Sequence, residues 1–295
     1  MSLGEYECTI NIEGNDYSEI VVVVPTSSIN NTRILNFIRS LNASTPSSLK
    51  VVEVISTGNE FNFAKSMNTG IEEALKSNPE FILLSNDDVL FGDHWIEPLL
   101  NALRKDKLIG YALPLINNHS FCGDGVIHMP HYFSIYLLTS ELLSAVKPFL
   151  PSVFKLRELM ESFERSANNG ISEVKDEIPY GSMANSQPVC LMRTKTLLDI
   201  GSFDYRFNNG IEDFDLSMRV YLAGLKVGIC LDSQVSHIGS ATGGEKWSAV
   251  LSPESVLKVE QIQNWRHLLK KYSFSEYRRF LRNARKNTIL FGGSR

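Results

Sequence analysis

Three short stretches of the chain concentrate side chains able to do chemistry. The first is Asn86-Asp87-Asp88, which follows directly on the apolar run FILLS (81–85). Adjacent carboxylates at a strand end are costly unless they are solvated, paired or bound to a cation. A hard divalent cation favours such oxygens and gathers phosphate oxygens as well. A plain turn is the competing reading, since Asn and Asp are common turn residues. The second stretch is GIEDFDLSMR (210–219), with Glu212, Asp213 and Asp215 at a helix start. Acids there suit the helix dipole, which accounts for one or two of them. Positions 213 and 215 point to different helix faces. Asp213 is therefore expected to face a site, while Asp215 caps the helix or pairs with a base such as Arg219. The third stretch is SQVSHIGSAT (233–242), where His237 ends a short strand before small residues. A lone histidine is commonly structural. The small residues after it would also let the backbone approach a phosphate.

Positioning these groups requires strand ends that meet. EIVVVVP (19–25) is continuously apolar, as suits a strand covered on both faces. KVVEVI (50–55), FILLS (81–85) and IGYALPL (109–115) read the same way. Helical spacing separates them: Ile34, Phe37, Ile38 and Leu41; then Ala64, Met67, Ile71 and Leu75; then Trp95, Ile96, Leu99, Leu100 and Leu103. PVCLM (188–192) and KVGICL (226–231) resume the strands and bracket helices at 195–200 and about 213–223. The alternation predicts an α/β fold with a doubly wound, mostly parallel sheet. Such sheets place ligands at the carboxyl ends of their strands.

The alternation breaks after His128. Residues 131–180 read as a helical insertion, with Pro148 and Pro151 between two helical patterns and a polar, glycine-containing loop at 166–182. The predicted organisation is a catalytic domain over 19–250, carrying that insertion, and a basic helical extension over 251–295. Between Asn264 and Thr288 there are eight Lys or Arg and one acid, Glu276. That tail suits a surface helix, a contact between copies in a homo-oligomer, or a peripheral contact with anionic lipid. Packing of Trp265, Leu268, Leu269 and Phe280 on the domain is the competing expectation.

At 295 residues, 43% hydrophobic and with a net charge of −4, the chain reads as globular and gives no reason to expect nucleic-acid binding. No run approaches the roughly 20 apolar residues of a membrane span, and the first residues lack a signal-peptide pattern. Cys8, Cys122, Cys190 and Cys230 are far apart in sequence, which fits reduced thiols and a cytoplasmic setting.

Six motifs in order carry a resemblance: V-V-P (23–25), N-F-A-K-S-M-N-T-G-I (62–71), L-L-S-N-D-D-V (83–89), G-S-F-D (201–204), G-I-E-D-F-D-L-S-M-R (210–219) and S-H-I-G-S (236–240). Together they resemble the family 2 glycosyltransferases over roughly 19–130 and 180–240. The resemblance implies a GT-A fold and a nucleotide-diphosphate-sugar donor bound with Mn²⁺ or Mg²⁺. It places Asn86 and Asp88 in the two D positions of a DxD motif, with Asp87 between them and Asp88 holding the metal. It implies Asp213 as catalytic base with Glu212 beside it, and His237 at the metal or diphosphate. Pro25, Thr26, Ser56 and Asn68 would contribute to the nucleotide-sugar site. The chain departs from the pattern at Asn86, and again at Ile55-Ser56-Thr57-Gly58, where many relatives carry an aspartate against the base. Nucleotide identity therefore stays open.

The implied reaction is an inverting displacement of a nucleoside diphosphate, of hexosyl type, by a carbohydrate or lipid-linked acceptor hydroxyl, as in polysaccharide biosynthesis. Three other readings compete with it. A nucleotidyltransferase should carry a glycine-rich phosphate loop after the first strand, and PTSSINNTR (25–33) has no glycine. The others are a non-catalytic carbohydrate- or partner-binding relative, and a partner-binding scaffold built on 131–180 and the tail.

Overall fold

The computed structural model describes residues 7–14, 19–26, 32–45, 49–57, 62–117, 188–207, 210, 212–238, 264, 267–268, 270–283 and 285–292. The expected helical insertion at 131–180 lies outside these residues, as do Trp265 and Leu269. In chain order the elements are β1 (Glu7–Glu13), β2 (Ile20–Thr26), α1 (Thr32–Ser44), β3 (Lys50–Thr57), α2 (Phe63–Leu75), β4 (Phe81–Ser85), β5 (Val89–Phe91), α3 (Ile96–Lys105) and β6 (Ile109–Asn117). After them come β7 (Val189–Arg193), α4 (Thr194–Ile200), α5 (Glu212–Leu222), β8 (Lys226–His237), α6 (Phe274–Asn283) and β9 (Thr288–Phe291).

All nine strands join one sheet in the order β1-β3-β2-β4-β7-β6-β8-β5, with β9 also on β8. The ladders β2–β3, β2–β4, β6–β8 and β8–β9 are parallel. Those between β1 and β3, β4 and β7, β6 and β7, and β5 and β8 are antiparallel. The sheet is thus mixed: β2, β3, β4, β6, β8 and β9 share a direction, and β1, β5 and β7 run against it. The carboxyl ends of β2, β4 and β8 consequently meet at one edge, together with the start of β7.

The continuous apolarity of β2 follows from its place in the middle. Val21 and Val23 pack on one face with Ala64, Met67 and Ile71 of α2. Val22 and Val24 pack on the other with Phe37 and Leu41 of α1. Helix α2 lies so close to the sheet that a Cβ at Gly70 would collide with Val23 and Val54. Pro25 pairs with Val54 beyond the last β2–β4 pair, Val23 with Leu84, so its missing N–H costs that ladder nothing.

Three elements depart from the expected pattern. β1 forms an antiparallel edge. β5, only three residues long, pairs with the end of β8 through Val89 and His237. The tail, expected to be helical, ends in β9, which runs parallel to β8 from Thr288 to Phe291. Leu268, Tyr272, Tyr277 and Phe280 are buried in the same core cluster as Phe214 of α5. This is the packing alternative for the tail, seen at Leu268 and Phe280. No helix among the described residues is long and apolar enough to cross a membrane.

Candidate functional site

At the β4 end, the Asn86 N–H donates to the Pro188 carbonyl at 2.8 Å and so ties β4 to the start of β7. The two acids that follow are held differently. Asp87 accepts from the Thr26 hydroxyl at 2.8 Å and lies 3.8 Å from Arg33 Nε. Burial raises its carboxyl above the ordinary range, opposed by the Thr26 hydrogen bond and the Arg33 charge. It therefore serves to join the ends of β2 and β4.

Asp88 is 7% exposed. Its carbonyl accepts from the Ile238 N–H at 2.9 Å, which fixes it against the end of β8. Asp88 Oδ1 lies 2.9 Å from His237 Nε2. Oδ1 is a buried acceptor with no hydrogen-bonding donor among the described residues. A carboxylate oxygen with an unused lone pair beside an imidazole nitrogen fits a shared divalent cation. Two ligands bound at about 2.1 Å and at right angles would themselves lie about 3.0 Å apart. No group of three or more His, Cys, Asp or Glu able to hold a metal occurs among the described residues.

The other candidate acids lie in the first turn of α5, where the three have different surroundings. Asp215 is fully buried and bound on all sides: Arg219 Nε at 2.9 Å, the Tyr272 hydroxyl at 2.7 Å and Lys271 Nζ at 2.7 Å. The expected Asp215–Arg219 pair is present. Glu212 is 8% exposed and accepts from the Gly210 N–H. Asp213 is only half-buried, and its carboxylate accepts from the Phe214 N–H at 2.7 Å. It lies near enough to the Tyr111 phenol and the Cys190 thiol to raise both, although burial is the larger cause at each. Burial pushes the Asp213 and Glu212 carboxyls up, and the Asp213 charge pushes Glu212 further. Of the three acids, Asp213 alone combines partial exposure with a proton affinity raised toward neutrality.

Two expected donor-site residues are engaged in packing. Ser56 is buried, its hydroxyl 2.6 Å from that of Ser66 on α2. The Asn68 side chain both donates to the Phe203 carbonyl and accepts from the Phe203 N–H, each at 2.8 Å. Asn62 caps α2 by accepting from the Lys65 N–H at 2.9 Å. Its amide nitrogen donates to the carbonyls of Tyr205 and Phe207, each at 3.3 Å. The asparagines of N-F-A-K-S-M-N thus hold the 203–207 turn that leads to α5. Pro25 and Thr26 close β2 beside β3, Thr26 opposite Ile55.

Sequence reasoning missed Arg33, Asn62 and a network joining the 204–215 segment to the tail. Asp204 accepts from Arg206 Nη2 at 2.7 Å, Lys271 Nζ at 3.0 Å and pairs with His267 Nε2 at 3.1 Å. Burial alone would raise the Asp204 carboxyl. The hydrogen bonds from Arg206, Lys271 and His267 outweigh it and hold the group well below the usual carboxylate range. The motif G-S-F-D contained Asp204, but nothing in its spacing pointed sixty residues ahead.

No family model and no curated protein matches the chain. Several solved structures are similar to it at a distance. A mannosyltransferase from Pyrobaculum calidifontis, in complex with GDP-mannose and Mn²⁺, has a TM-score of 0.49 at 12% identity, over 94% of this chain and 72% of that one. GalNAc-T7 with UDP, GalNAc and Mn²⁺ has a TM-score of 0.45 at 12% identity, over 92% of this chain and 55% of that one. The catalytic domain of Drosophila β1,4-galactosyltransferase 7, complexed with xylobiose, has a TM-score of 0.41 at 14% identity, over 75% and 71%.

Proposed function

We propose that the chain is a GT-A-type glycosyltransferase of family 2 character, which moves a hexosyl group from a nucleotide-diphosphate sugar to an acceptor hydroxyl with inversion. The observation that carries this reading is a division of labour between two carboxylates. Asp88, with an unused buried oxygen beside His237, suits a cation and the donor diphosphate. Asp213, half-buried and raised, suits a proton from the acceptor.

In this mechanism the Asp213 carboxylate accepts the acceptor's hydroxyl proton as the new oxygen–carbon bond forms. The bond from the anomeric carbon to the diphosphate breaks, and its electron pair leaves with the nucleoside diphosphate. General-base help of this kind is worth about 10²–10⁴-fold. Asp88 and His237 would hold the cation, which, when bound, supplies positive charge to the leaving diphosphate. Burial keeps Asp213 from being a carboxylate at acid pH, so activity should rise through neutrality.

A donor screen tests the proposal. Nucleoside diphosphates and their sugars, GDP- and UDP-linked first, are assayed by thermal shift with and without Mn²⁺, and the donors that bind are assayed for transfer. A shift that depends on the metal is expected. Its absence with every nucleotide would remove the donor-site assignment. Lipid-linked acceptors belong to the same proposal, with Lys270, Arg279 and Lys286 among the exposed cations of the tail for anionic lipid. Co-sedimentation with anionic vesicles that weakens as salt rises would support that contact.

A further inference from the structure

The Asp213 carboxylate is bonded to backbone N–H groups of its own helix turn, so its place is set by where that turn sits. The turn is anchored from outside, and most of the anchors come from the tail. The Asn264 amide donates to the Gly210 carbonyl at 2.9 Å. Tyr272 and Lys271 hold Asp215, two residues beyond Asp213, at 2.7 Å each. Lys271 and His267 hold Asp204 at the other end of the segment, at 3.0 and 3.1 Å. Lys271 is the cation that touches both ends. Its ammonium also lies 5.8 Å from the centre of the Phe207 ring, between them. Leu268, fully buried, fastens this stretch of the tail to the core.

We infer that Lys271, with Tyr272 beside it, is a positioning residue for the Asp213 base, so that Asn264, His267, Lys271 and Tyr272 belong to the acceptor side of the site. The inference rests on the sugar-transfer reading for what Asp213 does, though not for how it is held. The charge logic is specific. Lys271 is the shared counter-ion of two carboxylates, one of them fully buried, and removing one partner of a buried ion pair leaves an uncompensated buried charge. The groups that face Asp213 or the clamp are Glu212, Asp215 and Arg219 on α5, Tyr111 on β6, Cys190 on β7, Asp204 and Arg206 on the turn, and His267 and Tyr272 on the tail. Removing the Lys271 cation leaves this set more negative, which raises the Asp213 proton affinity and shifts the turn.

The test compares Lys271→Met, Lys271→Arg and Tyr272→Phe with the wild type in the full chain. Two readouts are taken. One is the pH profile of kcat with the donor identified by the screen, alongside the donor KM. The other needs no substrate: the pH midpoint of the difference in thermal stability between wild type and Asp213→Asn, measured again with Lys271→Met present in both. Lys271→Met should lower kcat by roughly tenfold to a hundredfold with donor KM little changed. It should raise both midpoints by about half a pH unit or more, and Lys271→Arg should recover part of each. Should Lys271→Met fail to fold, Tyr272→Phe removes a single hydroxyl and must move both midpoints in the same direction. A Tm loss with kcat per folded molecule and both midpoints unmoved overturns the inference. If no donor is turned over, the sugar-transfer reading fails, and the stability midpoints still decide whether the clamp governs Asp213.

Discussion

Asp88, just beyond the end of β4, and Asp213, in the first turn of α5, are held in opposite ways. Asp88 is fixed by strand geometry: its carbonyl is tied to the end of β8, and its Oδ1 takes no hydrogen bond from a described residue. Asp213 sits in a turn braced by tail side chains at Gly210 and Asp215, while Asn62 at the start of α2 holds the Phe207 carbonyl ahead of it. A group that needs a ligand to complete it is left incomplete by the protein. A group that must meet a substrate hydroxyl at a defined place is braced by it. The contrast predicts that damage at Asp88 appears in ligand binding, and damage around Asp213 in turnover.

The largest effect expected is that of Asp213→Asn. The amide keeps the size of the side chain and still accepts from the Phe214 N–H, but it cannot take a proton. Turnover should fall by about 10²–10⁴-fold, with the donor-induced thermal shift preserved. Near wild-type turnover would move the base to Glu212 or elsewhere. In the wild type, burial raises the Asp213 carboxyl, so the acid limb of the pH–rate profile should lie above the ordinary aspartate value of 3.8.

Next in size is Phe280→Ala, which probes the bracing rather than the chemistry. Phe280 is fully buried, with ring centres 5.3 Å from Phe214 and 5.5 Å from Tyr221. Truncating a buried phenylalanine costs about 3–5 kcal/mol, visible as a lower urea midpoint. If the tail only decorates the surface, the midpoint will hardly move.

These two substitutions also mark what the sequence made legible. The central strands and the helices between them followed from runs of apolar residues and their spacing, because each element is specified by its own burial. Asp87 and Asp88 were visible because they follow such a run at a strand end, and Glu212, Asp213 and Asp215 because they cluster at a helix start. What stayed hidden depends on pairing at long range. β5 is three residues long and exists because β8 extends past its bulge to meet it. β9 reads as an ordinary apolar tetrapeptide until β8 offers an open edge. Ser56 and Asn68 are expected at the donor site from the family resemblance, and their hydrogen bonds to Ser66 and Phe203 have no signature in spacing. Lys271 read as one of eight tail cations until the fold placed it between Asp204 and Asp215.

Asp88→Asn sharpens the donor side. The amide nitrogen would replace one carboxylate oxygen beside His237, and the charge that attracts a cation is lost. Nucleoside diphosphate at 100 times its Kd should stabilise the wild type by about 2.7 kcal/mol in the presence of Mn²⁺. Most of the metal-dependent part should vanish in the variant, while the ligand-free Tm stays close to wild type. Equal metal-dependent shifts in both proteins would detach the cation from Asp88.

The smallest effect belongs to Glu212→Gln, and its sign follows from burial. Glu212 is raised above its ordinary value of 4.5 by burial and then by the Asp213 charge. Between that value and its folded one, the native state keeps a proton that the unfolded chain has released. Stability therefore falls as pH rises through this window, by about 1.4 kcal/mol for each unit of separation. Gln is neutral throughout and can still accept from the Gly210 N–H. The variant should match the wild type near pH 4, gain on it steadily as pH increases, and hold a constant advantage once Glu212 has ionised in both states. Glu212 still holds its proton while Asp213 ionises, so the acid limb of turnover should stay where it is, unlike the upward shift expected for Lys271→Met. Equilibrium unfolding from pH 4 to 9 gives the first result, and the pH–rate profile gives the second. A variant less stable than wild type at every pH would mean that the Glu212 carboxylate is needed in its charged form, and the raised proton affinity would have to be abandoned.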